Sequence, residues 1–183
     1  MATFIYEMNV SLDGYTNHEH LGVPDPALFR YFIELTRKTA GAIYGRGLYE
    51  AMRYWDGDDW DQHDAETRED LRAFAHAWRA MPKWVVSRSL KSVGPNATLI
   101  GDGLEAAIRT IKETHDGEIE VGGPALAGAL TEWGLIDEYR LMTHPVALGH
   151  GRPYFKGPVP DLRLTAHERI GEKAIKLTYA PVR

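Results

Sequence analysis

Phe4, Tyr6, Met8 and Val10 alternate with Ile5, Glu7 and Asn9, a period of two that predicts a strand. Asp13-Gly14 breaks that pattern. The period then changes. Leu28, Phe32 and Leu35 recur at helical spacing, flanked by Phe29, Ile33 and Thr36, which predicts a helix with a wide apolar face. Asp25-Pro26 stands before it as an N-cap with proline at the first helical position. Residues 41–44 predict a short buried strand ending at Gly45-Arg46-Gly47. Further strands are predicted over residues 83–86, 97–100 and 119–121. Between and after them run helical stripes: Leu71, Phe74, Ala75 and Trp78; Leu104, Ala107, Ile108 and Ile111; Leu126, Leu130 and Trp133.

Residues 52–64 are rich in Trp and Asp without a clear period and read as a loop. The rest is extended: one strand over residues 139–146, then alternation at Leu162, Leu164 and Ala166, a turn near Gly171, and alternation at Ile175, Leu177 and Tyr179. Strands that alternate with helices predict a mainly parallel sheet covered on both faces. The strand-only C-terminus predicts an antiparallel edge. The expected architecture is one α/β domain over residues 1–183, in three layers.

Composition narrows the function classes. The chain has 183 residues, 44% hydrophobic and 26% charged, as an ordinary globular domain has. A formal net charge of −5 argues against a nucleic-acid partner. With no cysteine, disulfides, thiolate catalysis and Cys-based metal sites are excluded. The N-terminus lacks the basic region and apolar core of a signal peptide, and no apolar run approaches the ~20 residues that span a bilayer. The expectation is a cytoplasmic protein with no membrane partner.

In open α/β sheets, ligands bind at the carboxyl ends of the strands. Three predicted strands end in suggestive residues: Gly45-Arg46-Gly47, Ser87-Arg88-Ser89 and Gly122-Gly123. The last pair opens directly into a helix. Glycine lets the backbone approach a ligand, and unpaired helix N–H groups attract anions. Arginine offers phosphate a planar fork of donors, and two arginines beside serines suit the extra 2′-phosphate of NADP. Each end taken alone is also an ordinary solvated turn. Neither a GxxxxGK[ST] loop nor a GxGxxG after the first strand is present, so an ordinary Rossmann fold is not expected.

The pieces NVSLDGY, GRGLYE, KWVVSRSL, VGGPALAGALTEWGLIDEYRL and PVALGHGRPYF, in this order and across essentially the whole chain, resemble the dihydrofolate reductase-like superfamily. The resemblance is to the branch shared with the C-terminal reductase domain of bifunctional riboflavin biosynthesis proteins. It implies a three-layer fold and a stand-alone reductase, lacking the deaminase domain, that moves hydride from NADPH to a pyrimidine- or pterin-like small molecule. A dihydrofolate reductase proper is the alternative substrate reading. By position, the resemblance implies a cofactor site of Gly45, Arg46, Gly47 and Leu48, then Ser87, Arg88 and Ser89, then Gly122, Gly123, Pro124, Ala125 and Leu126, with Gly101 a further candidate. Arg46, Arg88 and Ser89 would hold the 2′-phosphate, and Gly122 and Gly123 would pass close to the diphosphate. Leu48 stands where the family usually has threonine. On the substrate side, Asp25 is the nearest counterpart of the dihydrofolate reductase acid, and Asp13 lies on the loop bordering the family's active site. Asp25 also serves as an N-cap and Asp13 as a turn residue before Gly14. A homodimer is implied as well.

Other residues read more plainly. No histidine pair has a recognised metal spacing, and His18 and His20 read as a polar loop rather than ligands. Asp56, Asp58, Asp59 and Asp61 lack the spacing, glycine and terminal glutamate of a calcium loop. Trp55 and Trp60 suit a pocket lining or an interface. Asp137-Glu138 reads as a structural feature at a strand start. A different function class, a non-catalytic nucleotide-binding or dimerisation module, is compatible with Leu48 and the uncertain substrate acid.

Overall fold

The structure is a computed structural model that describes residues 1–58, 60 and 63–182. Asp59 and Asp61, two members of the aspartate-rich segment, lie outside the described residues. The strands are β1 (Thr3–Val10), β2 (Gly41–Gly45), β3 (Lys83–Val86), β4 (Ala97–Ile100), β5 (Glu118–Gly122), β6 (Glu138–Thr143), β7 (Leu162–Ile170) and β8 (Ala174–Pro181). The helices are α1 (Pro26–Lys38), α2 (Arg46–Met52), α3 (Ala65–Ala80), α4 (Leu104–Thr114) and α5 (Pro124–Glu132).

The strands form one sheet in the order β4-β3-β2-β5-β1-β6-β8-β7. Six are mutually parallel; β8 runs antiparallel to β6, and β7 to β8. This is the expected mainly parallel sheet with an antiparallel C-terminal edge. Alternation on β2 explains the three layers. Ile43 points into a core with Phe4, Ile108, Ile119 and Leu130, which holds α4 and α5 on one face. Ala42 and Tyr44 point into a second core with Ile33, Phe74 and Trp78, which holds α1 and α3 on the other.

Two differences from the sequence reading have local causes. Residues 52–56, read as part of a loop, are not one: α2 runs to Met52 and a 3-10 turn, Arg53–Asp56, follows. Aromatic packing holds it, since Trp55 lies on Phe74, Trp78 Nε1 donates to Asp56 Oδ1 at 3.0 Å, and buried Trp60 donates to Tyr54 Oη at 3.2 Å. The strand predicted to reach residue 146 stops at Thr143, two residues before Pro145, which has no N–H for the ladder.

Candidate functional site

Because β4, β3, β2 and β5 are parallel neighbours, their carboxyl ends share one rim. Gly45 pairs with Val86, the residue before Ser87, and Tyr44 pairs with Gly122. The three strand ends singled out in the sequence are therefore adjacent. Arg46 donates to Ser89 Oγ at 3.2 Å, bridging the ends of β2 and β3. Buried Ser87 shapes the second end, its Oγ accepting from the amides of Ser89 at 3.2 Å and Leu90 at 3.0 Å. Arg88 is exposed at the tip and forms no ion pair among the described residues. Gly101 follows β4, and with Ser87, Arg88 and the start of α4 it lines a shallow groove.

The glycines of the third end have different reasons. Gly123 takes a φ of +105° with open space where a Cβ would stand, so its backbone conformation requires glycine. A Cβ on Gly122 would collide with the Tyr44 ring and the Leu48 side chain, so packing requires that one. Pro124 opens α5 at its first position, leaving the amides of Ala125 and Leu126 without intrahelical acceptors. Open glycine backbone, a helix N-terminus and two exposed guanidinium groups along one rim fit a dinucleotide carrying several phosphates.

Beside this rim, on the α1 and α3 face, lies a cavity of about 470 Å³. Its walls are mainly apolar and aromatic, from α1 (Phe29, Phe32, Leu35), α2 (Leu48, Met52), the turn after it (Tyr54, Trp55) and α3 (Phe74, Trp78). Leu48 belongs to both places, lining the cavity and packing over Gly122. Trp55 lines the cavity, whereas Trp60 lies beneath Tyr54 and Trp55. His18, on a short 3-10 turn, also reaches the wall.

Two carboxyl groups on adjacent strands line the same cavity: Glu7 on β1 and Glu120 on β5. Tyr44 Oη donates to Glu120 Oε2 at 3.1 Å, and Tyr31 Oη donates to Glu7 Oε1 at 2.8 Å. Burial pushes Glu120 up to about 7, with the charge of Glu7 adding to the effect and the Tyr44 hydrogen bond opposing it. Burial also raises Glu7, against the Tyr31 hydrogen bond and the nearby Arg140. Neither residue stood out in the sequence; the available signal was a glutamate on each of two buried strands.

Asp25 and Asp13 do not line this cavity. Asp25 caps α1, accepting from Leu28 N at 2.9 Å, and its other oxygen accepts from Glu172 N at 3.0 Å. Asp13 accepts from Ser11 Oγ at 2.6 Å, Leu148 N at 3.0 Å and Gly149 N at 2.6 Å, tying the loop after β1 to the 148–149 segment. Those hydrogen bonds lower Asp13 to about 2, and the amides of Leu28 and Glu172 lower Asp25. Both are anions near neutral pH. Asp137 accepts from Phe4 N at 2.8 Å and pairs with Lys112, the structural part expected of it. No group of three or more histidines and acids among the described residues is placed to hold a metal ion.

A parallel sheet with an antiparallel C-terminal edge, glycine-bearing strand ends along one rim and an acid-lined cavity beside them define a dihydrofolate reductase-like domain. The chain belongs to the RibD C-terminal domain family, which matches residues 2–176. The protein YyaP of Bacillus subtilis (strain 168), itself described as uncharacterized, is 28% identical over 161 residues, covering 82% of this chain and 79% of its own. A putative riboflavin biosynthesis protein from Shewanella sp. PV-4 superposes over 100% of both chains with a TM-score of 0.72 at 21% identity. Acinetobacter baumannii RibD matches 100% of this chain with 58% of its own, at a TM-score of 0.67 and 18% identity. The Thermotoga maritima diaminohydroxyphosphoribosylaminopyrimidine deaminase/5-amino-6-(5-phosphoribosylamino)uracil reductase matches 99% of this chain with 57% of its own, at a TM-score of 0.65 and 13% identity.

Proposed function

We propose that the protein is an NADPH-dependent reductase of a pyrimidine- or pterin-like small molecule. The observation that carries this reading is the single rim formed by Gly45-Arg46-Gly47, Ser87-Arg88-Ser89, Gly101 and Gly122-Gly123, set against an acid-lined cavity through Leu48. NADPH, when bound, supplies the hydride. Arg46, Arg88 and Ser89 hold its 2′-phosphate, while Gly122, Gly123 and the free amides of Ala125 and Leu126 receive the diphosphate. Leu48 offers only apolar contact at that junction. Glu120, which burial raises to about 7, can hold a proton inside the cavity where a reduced heterocycle needs one. In this reading Asp25 caps α1 and Asp13 ties the loop after β1 to the 148–149 segment, and neither touches the substrate. The same reading carries a homodimer.

Titration with NADPH and with NADH tests the cofactor assignment. Arg88→Ala is expected to weaken NADPH roughly tenfold to a hundredfold, the loss of a charge-assisted phosphate contact, and to leave NADH almost unchanged. Equal losses for both cofactors would remove the 2′-phosphate role. NADPH binding without oxidation across a panel of dihydropterins and aminopyrimidines would favour a non-catalytic nucleotide-binding module.

A further inference from the structure

Asn9 lines the cavity from β1, near the carboxyl end of that strand. Tyr6 pairs with Val121, so Asn9 stands beyond the level of Gly122, on the rim side of the cavity. Its side chain is held by His144, which follows the end of β6. His144 Nε2 lies 2.7 Å from Asn9 Oδ1. The histidine is itself buried and anchored, its backbone N–H donating to Val10 O at 2.8 Å. Burial lowers its pKa against the opposing charge of Asp25, so at neutral pH the ring is uncharged and carries one proton. The partner of Nε2 is a carbonyl oxygen, so that proton sits on Nε2 and is donated to Oδ1.

Fixing Oδ1 fixes the other end of the amide. Asn9 Nδ2 is turned away from the imidazole, has no hydrogen-bond partner among the described residues and is not enclosed by them. Other donors along the same cavity are committed to the protein. Thr36 Oγ1 donates to Phe32 O at 2.8 Å, Thr16 Oγ1 to Arg152 O at 3.1 Å and Tyr44 Oη to Glu120. Asn9 Nδ2 is thus a strand-borne donor with a set direction and nothing on the protein to receive it. The flat rings of Phe29, Trp55 and Phe74 line the same space. A planar ring lying among them presents its polar atoms at its edge, where such a donor can reach one.

We infer that Asn9 is a specificity residue of the cavity: its Nδ2, oriented by His144, donates to an exocyclic carbonyl oxygen at the edge of the substrate ring. His144 is the positioning residue, since an amide free to turn over would offer donor and acceptor alike. The inference rests on the reading of this cavity as the substrate site.

Calorimetric titration of the full chain at pH 8 tests it. The probes are 2-methylisoquinolin-1(2H)-one and 1-methylisoquinoline, uncharged bicyclic rings with a carbonyl oxygen or a methyl at the same position. The carbonyl probe is expected to bind about threefold to tenfold more tightly, the worth of one neutral hydrogen bond. Asn9→Asp keeps the volume and an acceptor for His144 but removes the donor, and is expected to abolish or reverse that preference. Asn9→Ala is the second variant should the first not fold, with the preference again lost. His144→Phe is expected to reduce the preference, and His144→Gln, whose amide can still donate to Oδ1, to restore it. A purely structural part for the pair would weaken both probes alike. Equal binding of the two probes to the wild-type chain, binding of neither, or a preference that survives both Asn9 variants would overturn the inference. NADPH titration of the same samples keeps the two readings apart. NADPH binding without carbonyl preference sinks this inference alone, whereas a wild-type chain that binds no NADPH sinks the reductase reading.

Discussion

Glu120 differs from a surface carboxyl because its strand lies in the middle of a sheet covered on both faces, while its side chain lines the cavity and accepts from Tyr44 Oη. Its folded pKa of about 7 lies above the ordinary 4.5, so the folded state binds the extra proton. The associated stability is fully present below about pH 4.5 and is lost as the pH rises through about 7. The protein is therefore expected to lose on the order of 2 kcal/mol between these limits from this group, and Glu120→Gln to flatten that slope. Chemical denaturation at a series of pH values measures it; an unchanged slope in Glu120→Gln would refute the assignment. The two cavity acids were hard to see in sequence for one physical reason. Alternation of Ile5, Glu7 and Asn9 against Phe4, Tyr6 and Val10 looks like a polar outer face, yet in a doubly covered parallel sheet both faces are inside. The rim residues were legible because glycine and arginine at strand ends have local causes.

At the scale of elements, α1 shows how one helix serves both stability and site. Leu28 and Ile33 anchor it to the sheet, and Phe29, Phe32 and Leu35 face the cavity. Its apolar stripe is wide because it covers a core and a cavity together, which the periodicity alone could not divide. Asp25 fixes where that helix begins and also holds Glu172, next to the tight Gly171 turn between β7 and β8. Asp25→Ala is expected to cost about 1–2 kcal/mol of stability, as lost N-caps do, with NADPH affinity unchanged. Asp25→Asn retains an acceptor oxygen and is expected to keep most of both stability and turnover. Loss of turnover in Asp25→Asn at unchanged stability would instead restore Asp25 as the substrate acid. The segment after α2 has no period to read, since a helix end and a 3-10 turn are held there by Trp78, Asp56 and Phe74, contacts distant in sequence.

At the scale of the whole molecule, the architecture was readable because helices and strands are interspersed up to residue 132 and only strands follow. Assembly depends on what the final strands leave uncovered. β7 lies at the edge of the sheet, nine residues long, with nearly every side chain from Arg163 to Arg169 exposed. Leu164 on β7 and Ile175 on β8 are each 48% exposed. A long edge strand offers unpaired backbone groups, and its Arg163, Glu168 and Arg169 guard against indiscriminate pairing more than against one matched partner. The homodimer is thus expected to use this edge, a second copy covering Leu164 and Ile175. Sedimentation should give a species of twice the 20.6 kDa chain, and Leu164→Asp should shift it toward monomer without lowering NADPH affinity, because the rim lies at the far strands β4, β3, β2 and β5. A wild-type protein that stays monomeric at working concentration would refute the dimer, and a dimer indifferent to Leu164→Asp would move the interface off this edge.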